Sequence, residues 1–337
     1  MSMNNPFNNP AFSVSSLTAA INLLPNTYGR LDELNLFPIK PVRTRQVSIE
    51  MRNGVLNLLP TKPVGAPGTV GTRGSRNLRA LTIPHIPHDD VVLPEEVIGV
   101  RAFGSETELA TLAGVMADKL QTMRNKHAIT LEHLRMGALK GIVLDADGTE
   151  LIDFYKVFDI TPKVFSFELA NPDTSIRDKC IELKHWMEDN LLGERMTGVR
   201  VLVGEDFMTK LTNHENIKEA WKDWQNGEFF RSDQRAGFAM AGVVFEEYRA
   251  TVSTGIEGQE PVRFIAKSEG HAFPVGTLDT FATYVAPADF NETVNTPGQL
   301  LYAKQEPRKF DRGTDLHTQS NPLPVCQRPG LLVKVTL

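Results

Sequence analysis

The sequence predicts an α+β chain in which a folded body carries long extended segments with no core of their own. Three observations lead there. Residues 105–139 place apolar side chains at helical spacing. Two hairpin dipeptides, Asn53-Gly54 and Asp147-Gly148, sit between apolar runs. Residues 1–93 are dominated by stretches too polar or too rich in proline and glycine to fold alone.

A chain of 337 residues can hold one large domain or two ordinary ones. With 41% hydrophobic and 23% charged residues it has the composition of a globular protein. Two cysteines, Cys180 and Cys326, exclude a disulfide framework and a multi-cysteine zinc site, and suit a reducing compartment. The opening MSMNNPFNNPAFSVSSL lacks the cationic start and apolar run of a signal peptide. No stretch approaches the roughly 20 apolar residues of a membrane span, so no membrane association is expected.

The net charge of −5 argues against a dedicated nucleic-acid binder. Its distribution is uneven. Residues 1–94 hold 9 basic and 5 acidic residues, a net of +4, and residues 95–337 hold 27 and 36, a net of −9. Between Met51 and His88 there are five basic residues and no acid. A basic extension on an acidic body can pair head-to-tail with copies of itself. A solvated loop with chance charges gives the same pattern.

Along the chain, residues 1–30 are rich in Asn, Pro and Ser and read as an arm that orders only against something else. Residues 42–59 read as a β-hairpin. Val47, Ile49 and Met51 alternate with polar residues, Asn53-Gly54 supplies the turn, and Val55–Leu59 supply the second strand. Residues 60–76 hold three prolines and four glycines, which block helix and central strand alike. The whole of 42–93 is therefore an extended excursion, and loops of that length are usually functional or disordered.

Ser105 with Glu108 forms a capping box, and Leu109, Leu112, Met116, Leu120, Met123, Leu131, Leu134 and Ala138 follow at helical spacing to Gly137 and Gly141. A helix over 105–139 would be about 50 Å long, too long for a small domain to bury. A second hairpin is expected over 141–158, turning at Asp147-Gly148. From about 172 the pattern is mixed. A helix carries Ile176, Cys180, Leu183, Met187 and Leu191, a buried strand runs 199–203, and a helix over 205–226 includes Trp221 and Trp224. Strands follow at 238–252 and 262–266, and an apolar strand closes the chain at 331–337.

The residues offer one catalytic motif. Ile142-Val143-Leu144-Asp145-Ala146-Asp147-Gly148-Thr149 matches the D-x-D-G-T signature of haloacid-dehalogenase-type phosphatases, with Asp145 as nucleophile and Asp147 as general acid beside Mg²⁺. The competing reading is a hairpin turn in which Asp-Gly serves backbone geometry. Context favours the turn: a strand, not a helix, follows at once, and a long helix precedes. His127 and His133 are six apart, on opposite helix faces, so they cannot share a metal, and His85 and His88 flank Pro87 in a loop. Gly65–Gly74 lacks the ending of a phosphate-binding loop. Cys180 lies on an apolar stripe and reads as packing, as do Trp221 and Trp224. No catalytic residue, metal site or cofactor is expected.

Four segments carry a family resemblance that runs nearly end to end. They are Asn57-Leu58-Leu59-Pro60 with Gly65-Ala66-Pro67-Gly68; LEHLRMGALKGIVLDADG at 131–148; FIAKSEGHAFPVGT at 264–277 with YVAPADFNETVNTPG at 284–298; and SNPLPVCQRPGLLVKVTL at 320–337. In this order they resemble the lambda-type major capsid protein family of tailed bacteriophages, phage capsid protein E. Residues 69–77 depart from the family's loop in being unusually rich in Gly and Arg.

The resemblance implies the Hong Kong phage-type capsid fold. Its parts would be an N-terminal arm (1–41), an extended β-hairpin loop (42–93), a peripheral domain with spine helix and hairpin (94–165), an axial α/β domain (166–295) and a return to the peripheral sheet (296–337). It implies a non-enzymatic shell subunit, assembled in the bacterial cytoplasm into the pentamers and hexamers of a virion around double-stranded DNA, which it would touch without sequence preference. A portal and a separate scaffold protein are the implied partners, with a decoration protein an optional one; the separate scaffold is implied because no charged helical prefix precedes residue 40. The related shell of a cellular nanocompartment is the alternative within the same fold. Charge and resemblance together point to contacts between copies in which Arg73, Arg76 and Arg79 meet Glu95, Glu96, Glu106 and Glu108.

Overall fold

The computed structural model describes residues 14–23, 29–52, 76–96, 112–191, 193–222, 233–253 and 260–337. The chain opens with helices α1 (Val14–Leu23) and α2 (Arg30–Glu33) and strands β1 (Ile39–Pro41), β2 (Gln46–Arg52), β3 (Arg76–Thr82) and β4 (Ile86–Val92). The long helix α3 (Leu112–Lys140) leads into β5 (Ile142–Leu144), β6 (Glu150–Asp153), α4 (Phe154–Phe158) and β7 (Lys163–Ser166). Next come α5 (Ile176–Asn190), β8 (Gly198–Val203), α6 (Glu205–Asn213), α7 (Glu215–Lys222), β9 (Phe238–Met240), β10 (Val243–Glu247), β11 (Thr251–Val252) and β12 (Val262–Arg263). The chain ends with β13 (Glu269–Val275), β14 (Phe281–Val285), β15 (Tyr302–Pro307), β16 (Thr314–Ser320), β17 (Pro322–Cys326) and β18 (Val333–Thr336).

The chain divides into two compact units. Unit 1 takes residues 1–47, 80–134 and 282–325, and unit 2 takes 48–79, 135–281 and 326–337. The division passes through the paired strands β2 and β3 and through α3.

In unit 1 an antiparallel sheet runs in the order β15-β16-β4, with Tyr302 opposite Gln319 and Thr314 opposite Val92. α1 lies on this sheet because its apolar residues recur on one face: Leu17 and Ile21 pack with Leu120, Leu301 and Ala303. Val92, Met116, Met123 and Leu316 form a second apolar cluster where α3 meets β4 and β16. A separate sheet, β1-β14-β17, holds β1 parallel to β14 with Ile39 opposite Thr283.

Unit 2 is built on a six-stranded mixed sheet, β7-β18-β13-β8-β10-β9. Its central strands read as near-continuous apolar runs, Val199–Val203 and Val243–Phe245, as strands covered on both faces do. The core gathers Phe167, Phe207 and Phe245 edge-to-face, with Phe167 centred 5.8 Å from Phe207 and 5.5 Å from Phe245. α5 adds Ile176, Cys180, Leu183 and Met187, all buried, and starts where Ser175 Oγ accepts from the Asp178 amide at 3.4 Å. Gly204 opens α6 because a Cβ there would overlap the carbonyl oxygen of Ala266.

The helix expected over 105–139 is present as α3, about 44 Å long at 1.5 Å per residue. Its expected start, with the Ser105–Glu108 capping box, lies outside the described residues. Among the described residues β2 pairs with β3; the hairpin partner expected at Val55–Leu59 and its Asn53-Gly54 turn lie outside them. Three expectations change. The second strand of the hairpin at 141–158 stops at Asp153, because that carboxylate accepts from the Tyr155 and Lys156 amides and starts α4. The single helix expected over 205–226 breaks at His214, where ψ turns to 139°, into α6 and α7. Residues 296–337 do not return to one sheet. β15 and β16 join β4, β17 joins β14, and β18 enters the six-stranded sheet between β13 and β7.

Candidate functional site

Of the residues expected to meet neighbouring copies, the described ones fall at the two ends of the segment from β3 to the turn after β4. Arg79 on β3 and Glu95, just past β4, expose their side chains. Glu96 is half-buried and pairs within the chain: its Oε1 lies 2.8 Å from Lys119 Nζ on α3. The same ammonium is 3.5 Å from Asp90 and also donates to the Val91 carbonyl. Lys119 thus ties the end of β4 to the long helix. The backbone of Arg76 begins β3. Arg73, Glu106 and Glu108 lie outside the described residues.

The D-x-D-G-T segment is a turn. β5 and β6 are antiparallel, with Ile142 opposite Asp153. The Asp145 amide donates to the Thr149 carbonyl at 2.8 Å, and the Gly148 amide to the Asp145 carbonyl at 3.1 Å, with Gly148 at φ 86°. Each carboxylate serves its own backbone. Asp145 Oδ1 accepts from the Ala146 amide at 2.7 Å, and Asp147 Oδ1 from the amide and hydroxyl of Thr149 at 2.8 and 2.7 Å. The Thr149 amide and then its hydroxyl hold Asp147 below the usual carboxylate range, opposite to the raised value that a general acid needs. Among the described residues no group of three or more His, Cys, Asp or Glu side chains could hold a metal ion.

The other residues singled out by the sequence are structural where they are described. Cys180 is buried on α5, and burial pushes its thiol up to about 12, so it is packing and no nucleophile. The side chain of Trp221 and all of Trp224 and Gly65–Gly74 lie outside the described residues. His127 and His133 do diverge: His127 is buried and the other is half-exposed. His127 Nδ1 is 2.8 Å from Ser320 Oγ and Nε2 is 3.0 Å from Thr318 Oγ1.

Two features carry no sequence signal strong enough to have revealed them. Histidines from distant segments gather along β4 and β16: His88 lies edge-to-face with His127 at 6.3 Å, and His317 pairs with Asp89. At the β15–β16 turn Phe310 is almost wholly in solvent. The histidines are scattered in sequence, and one aromatic residue among charges gives no periodic pattern.

No helix among the described residues is long and apolar enough to cross a membrane. The family described as phage major capsid protein E matches residues 13–337. The chain is 32% identical to the major capsid protein of Salmonella phage Felix O1 over 360 residues, covering 96% of each chain. It is 30% identical to that of Pseudomonas phage KPP10 over 342 residues, again with 96% of each covered. Among solved structures, a prophage capsid protein of E. coli CFT073 superposes with a TM-score of 0.62 at 13% identity, over 96% of this chain and 98% of that one. The mature capsid subunit of bacteriophage PhiM1 gives 0.51 at 14%, over 94% and 88%. These likenesses show the tailed-phage major capsid fold, and the match over nearly the full length shows that the chain belongs to the phage major capsid protein E family.

Proposed function

We propose that this chain is the repeating subunit of the icosahedral shell that encloses the double-stranded DNA genome of a tailed bacteriophage. The observation that carries the reading is the family match over 13–337. Many copies build such a shell, and closed symmetry lets one heterologous contact repeat without growing into fibres. The copies would form pentamers and hexamers in the host cytoplasm. A separate scaffold and a portal would be partners, a decoration protein an optional one, and packaged DNA would meet the inner face without sequence preference.

Within that reading the six-stranded unit suits the axial domain, and the unit holding α1, β4, β15 and β16 suits the peripheral one. Arg73, Arg76 and Arg79 would meet acidic groups of an adjacent copy. Among Glu95, Glu96, Glu106 and Glu108, Glu95 is the best described candidate, because it is exposed while Glu96 already pairs with Lys119. Exposed pairs contribute little each but orient partners. The chain would have no phosphatase activity, since Asp145 and Asp147 are committed to a turn.

Electron microscopy of the purified chain, expressed with the companion proteins of its own particle, tests the reading. Closed shells of uniform size are expected. Only monomers, or phosphate-ester hydrolysis that needs Mg²⁺ and disappears in Asp145→Asn, would overturn it. The triple reversal of Arg73, Arg76 and Arg79 to Glu is expected to stop assembly and leave a folded subunit.

A further inference from the structure

The seam between β13 and β18 in the six-stranded sheet of unit 2 carries a cluster of titratable side chains. β13 places Glu269 and His271 on one face, two residues apart. The antiparallel strand β18 sets Lys334 opposite His271 on that same face. Lys140, the last residue of α3, brings a second ammonium to bear on the same imidazole. On the other side of β13 the residue opposite His271 is the buried Leu202 of β8, and Arg200 of that strand is already paired with Glu246.

The imidazole is shut in with an incomplete set of contacts. His271 is 7% exposed. Its Nε2 is buried with no hydrogen-bond partner and lies 3.6 Å from Glu269 Oε1, near enough for attraction between charges but too far for a hydrogen bond. The other oxygen of that carboxylate, Oε2, pairs with Lys334 Nζ. His271 first, and then Lys334, hold the Glu269 carboxyl down to about 2, so it stays ionised well into acid. A neutral imidazole thus sits among two ammoniums and one carboxylate. A proton on it would set three cations around a single anion, away from water. Burial first holds the imidazole below its usual range; Glu269 pulls the other way, and Lys140 and Lys334 push with the burial.

We propose that His271 is a proton-operated latch on β18: when it takes up a proton, the seam between β13 and β18 opens and the imidazolium gains water. The seam yields on this side for geometric reasons. β13 pairs with β8 over six residues, Gly270 to Val275, and with β18 over four, Glu269 to Ala272. On its core face β13 has no slack, since a Cβ at Gly270 would lie 2.7 Å from Val203 Cγ1. Lys334 is half-exposed and can swing into solvent, which removes one repelling charge and leaves Glu269 to His271. Above about pH 6.5 the imidazole is neutral whether the seam is shut or open. Below it only the open seam binds the proton, so opening becomes more favourable as the pH falls. An open seam with an ordinary histidine raises the opening equilibrium about tenfold from pH 7.5 to 5.5.

Hydrogen exchange of the full-length, unassembled subunit tests the latch, with rates corrected for the intrinsic effect of pH on amide exchange. Between pH 7.5 and 5.5 the corrected exchange of β18 is expected to rise about tenfold, while that of β10 in the same sheet stays level. In His271→Gln, which cannot titrate, the rise should vanish. Lys334→Gln removes one ammonium that opposes the proton and should cut the rise to less than half, so it carries the test where His271→Gln fails to fold. A rise of parental size in either variant, or an equal rise in β10, overturns the inference. The shell reading stands under either result.

Discussion

Tyr155 fills the space that any side chain at position 141 would need. A Cβ on Gly141 would overlap the Tyr155 ring and lie 2.8 Å from its hydroxyl oxygen. The glycine sits at φ 89° just past the last turn of α3, and its carbonyl accepts from the Phe154 amide at 2.9 Å. Tyr155 Oη in turn donates to the Lys140 carbonyl at 3.2 Å, satisfying a helix-end acceptor. Gly141→Ala therefore meets both left-handed strain and overlap. It is expected to destabilise the subunit by about 2–4 kcal/mol, measured as a shift in denaturant midpoint. A midpoint within experimental error of the parent would show that the helix end does not need this packing.

Asp153 ends one element and begins the next. Its Oδ1 accepts from the Tyr155 amide at 2.9 Å and the Lys156 amide at 3.1 Å. Asp153→Ala is expected to cost about 1–2 kcal/mol, and Asp153→Asn, which keeps the acceptor, much less. Equal costs for the two would assign the effect to charge and not to the cap.

The sequence made visible what is decided locally. Asp147-Gly148 needs only its own turn, so the β5–β6 hairpin could be read from six residues. The buried stripe of α5 follows from spacing alone, as Ile176, Cys180, Leu183 and Met187 confirm. What stayed hidden depends on distant partners. β2 pairs with β3, a partner that no local pattern announces. At the break, His214 Nε2 reaches the Asn171 carbonyl at 2.9 Å, a distant partner, while its Nδ1 accepts from the Asn216 amide at 3.3 Å in the first turn of α7. The placement of β18 between β13 and β7 is likewise a long-range choice among apolar strands that read alike. For the proposed assembly surface the charge asymmetry was legible, but not that Glu96 pairs with Lys119.

Across the six-stranded sheet, Arg200 on β8 pairs with Glu246 on β10 at 2.5 Å, with the glutamate side chain only 6% exposed. Removing one partner leaves the other charge poorly solvated, which costs more than the pair itself contributes. Glu246→Leu is expected to lower stability by about 2–3 kcal/mol, less than for a fully dry pair because Arg200 keeps contact with water. The double variant Arg200→Met with Glu246→Leu should recover most of the loss. A double variant as unstable as the single one would mean that the pair stabilises the sheet in its own right.

The buried His127 predicts how unit 1 responds to acid. Burial, and then the neighbouring His88 on β4 and His317 on β16, push its imidazole down to about 4. Lys126 lies beside His88, while Asp89 and Asp90 face the same cluster with opposite sign. His88 is also lowered, first by its burial and then by Lys126. In the unfolded chain a histidine binds its proton near pH 6.5. Above that pH both states leave His127 neutral, and its hydrogen bonds to Ser320 and Thr318 are fully available. As the pH falls from about 6.5 toward 4, the unfolded state takes up a proton that the folded state refuses, so stability declines with acid and levels off below about 4. The decline amounts to roughly 3 kcal/mol for this one group. His127→Asn cannot titrate, so the difference between parent and variant stability should shrink steadily across that window. Denaturant unfolding of the unassembled subunit at pH 7.5, 6, 5 and 4 measures it, and parallel profiles for the two proteins would refute the assignment.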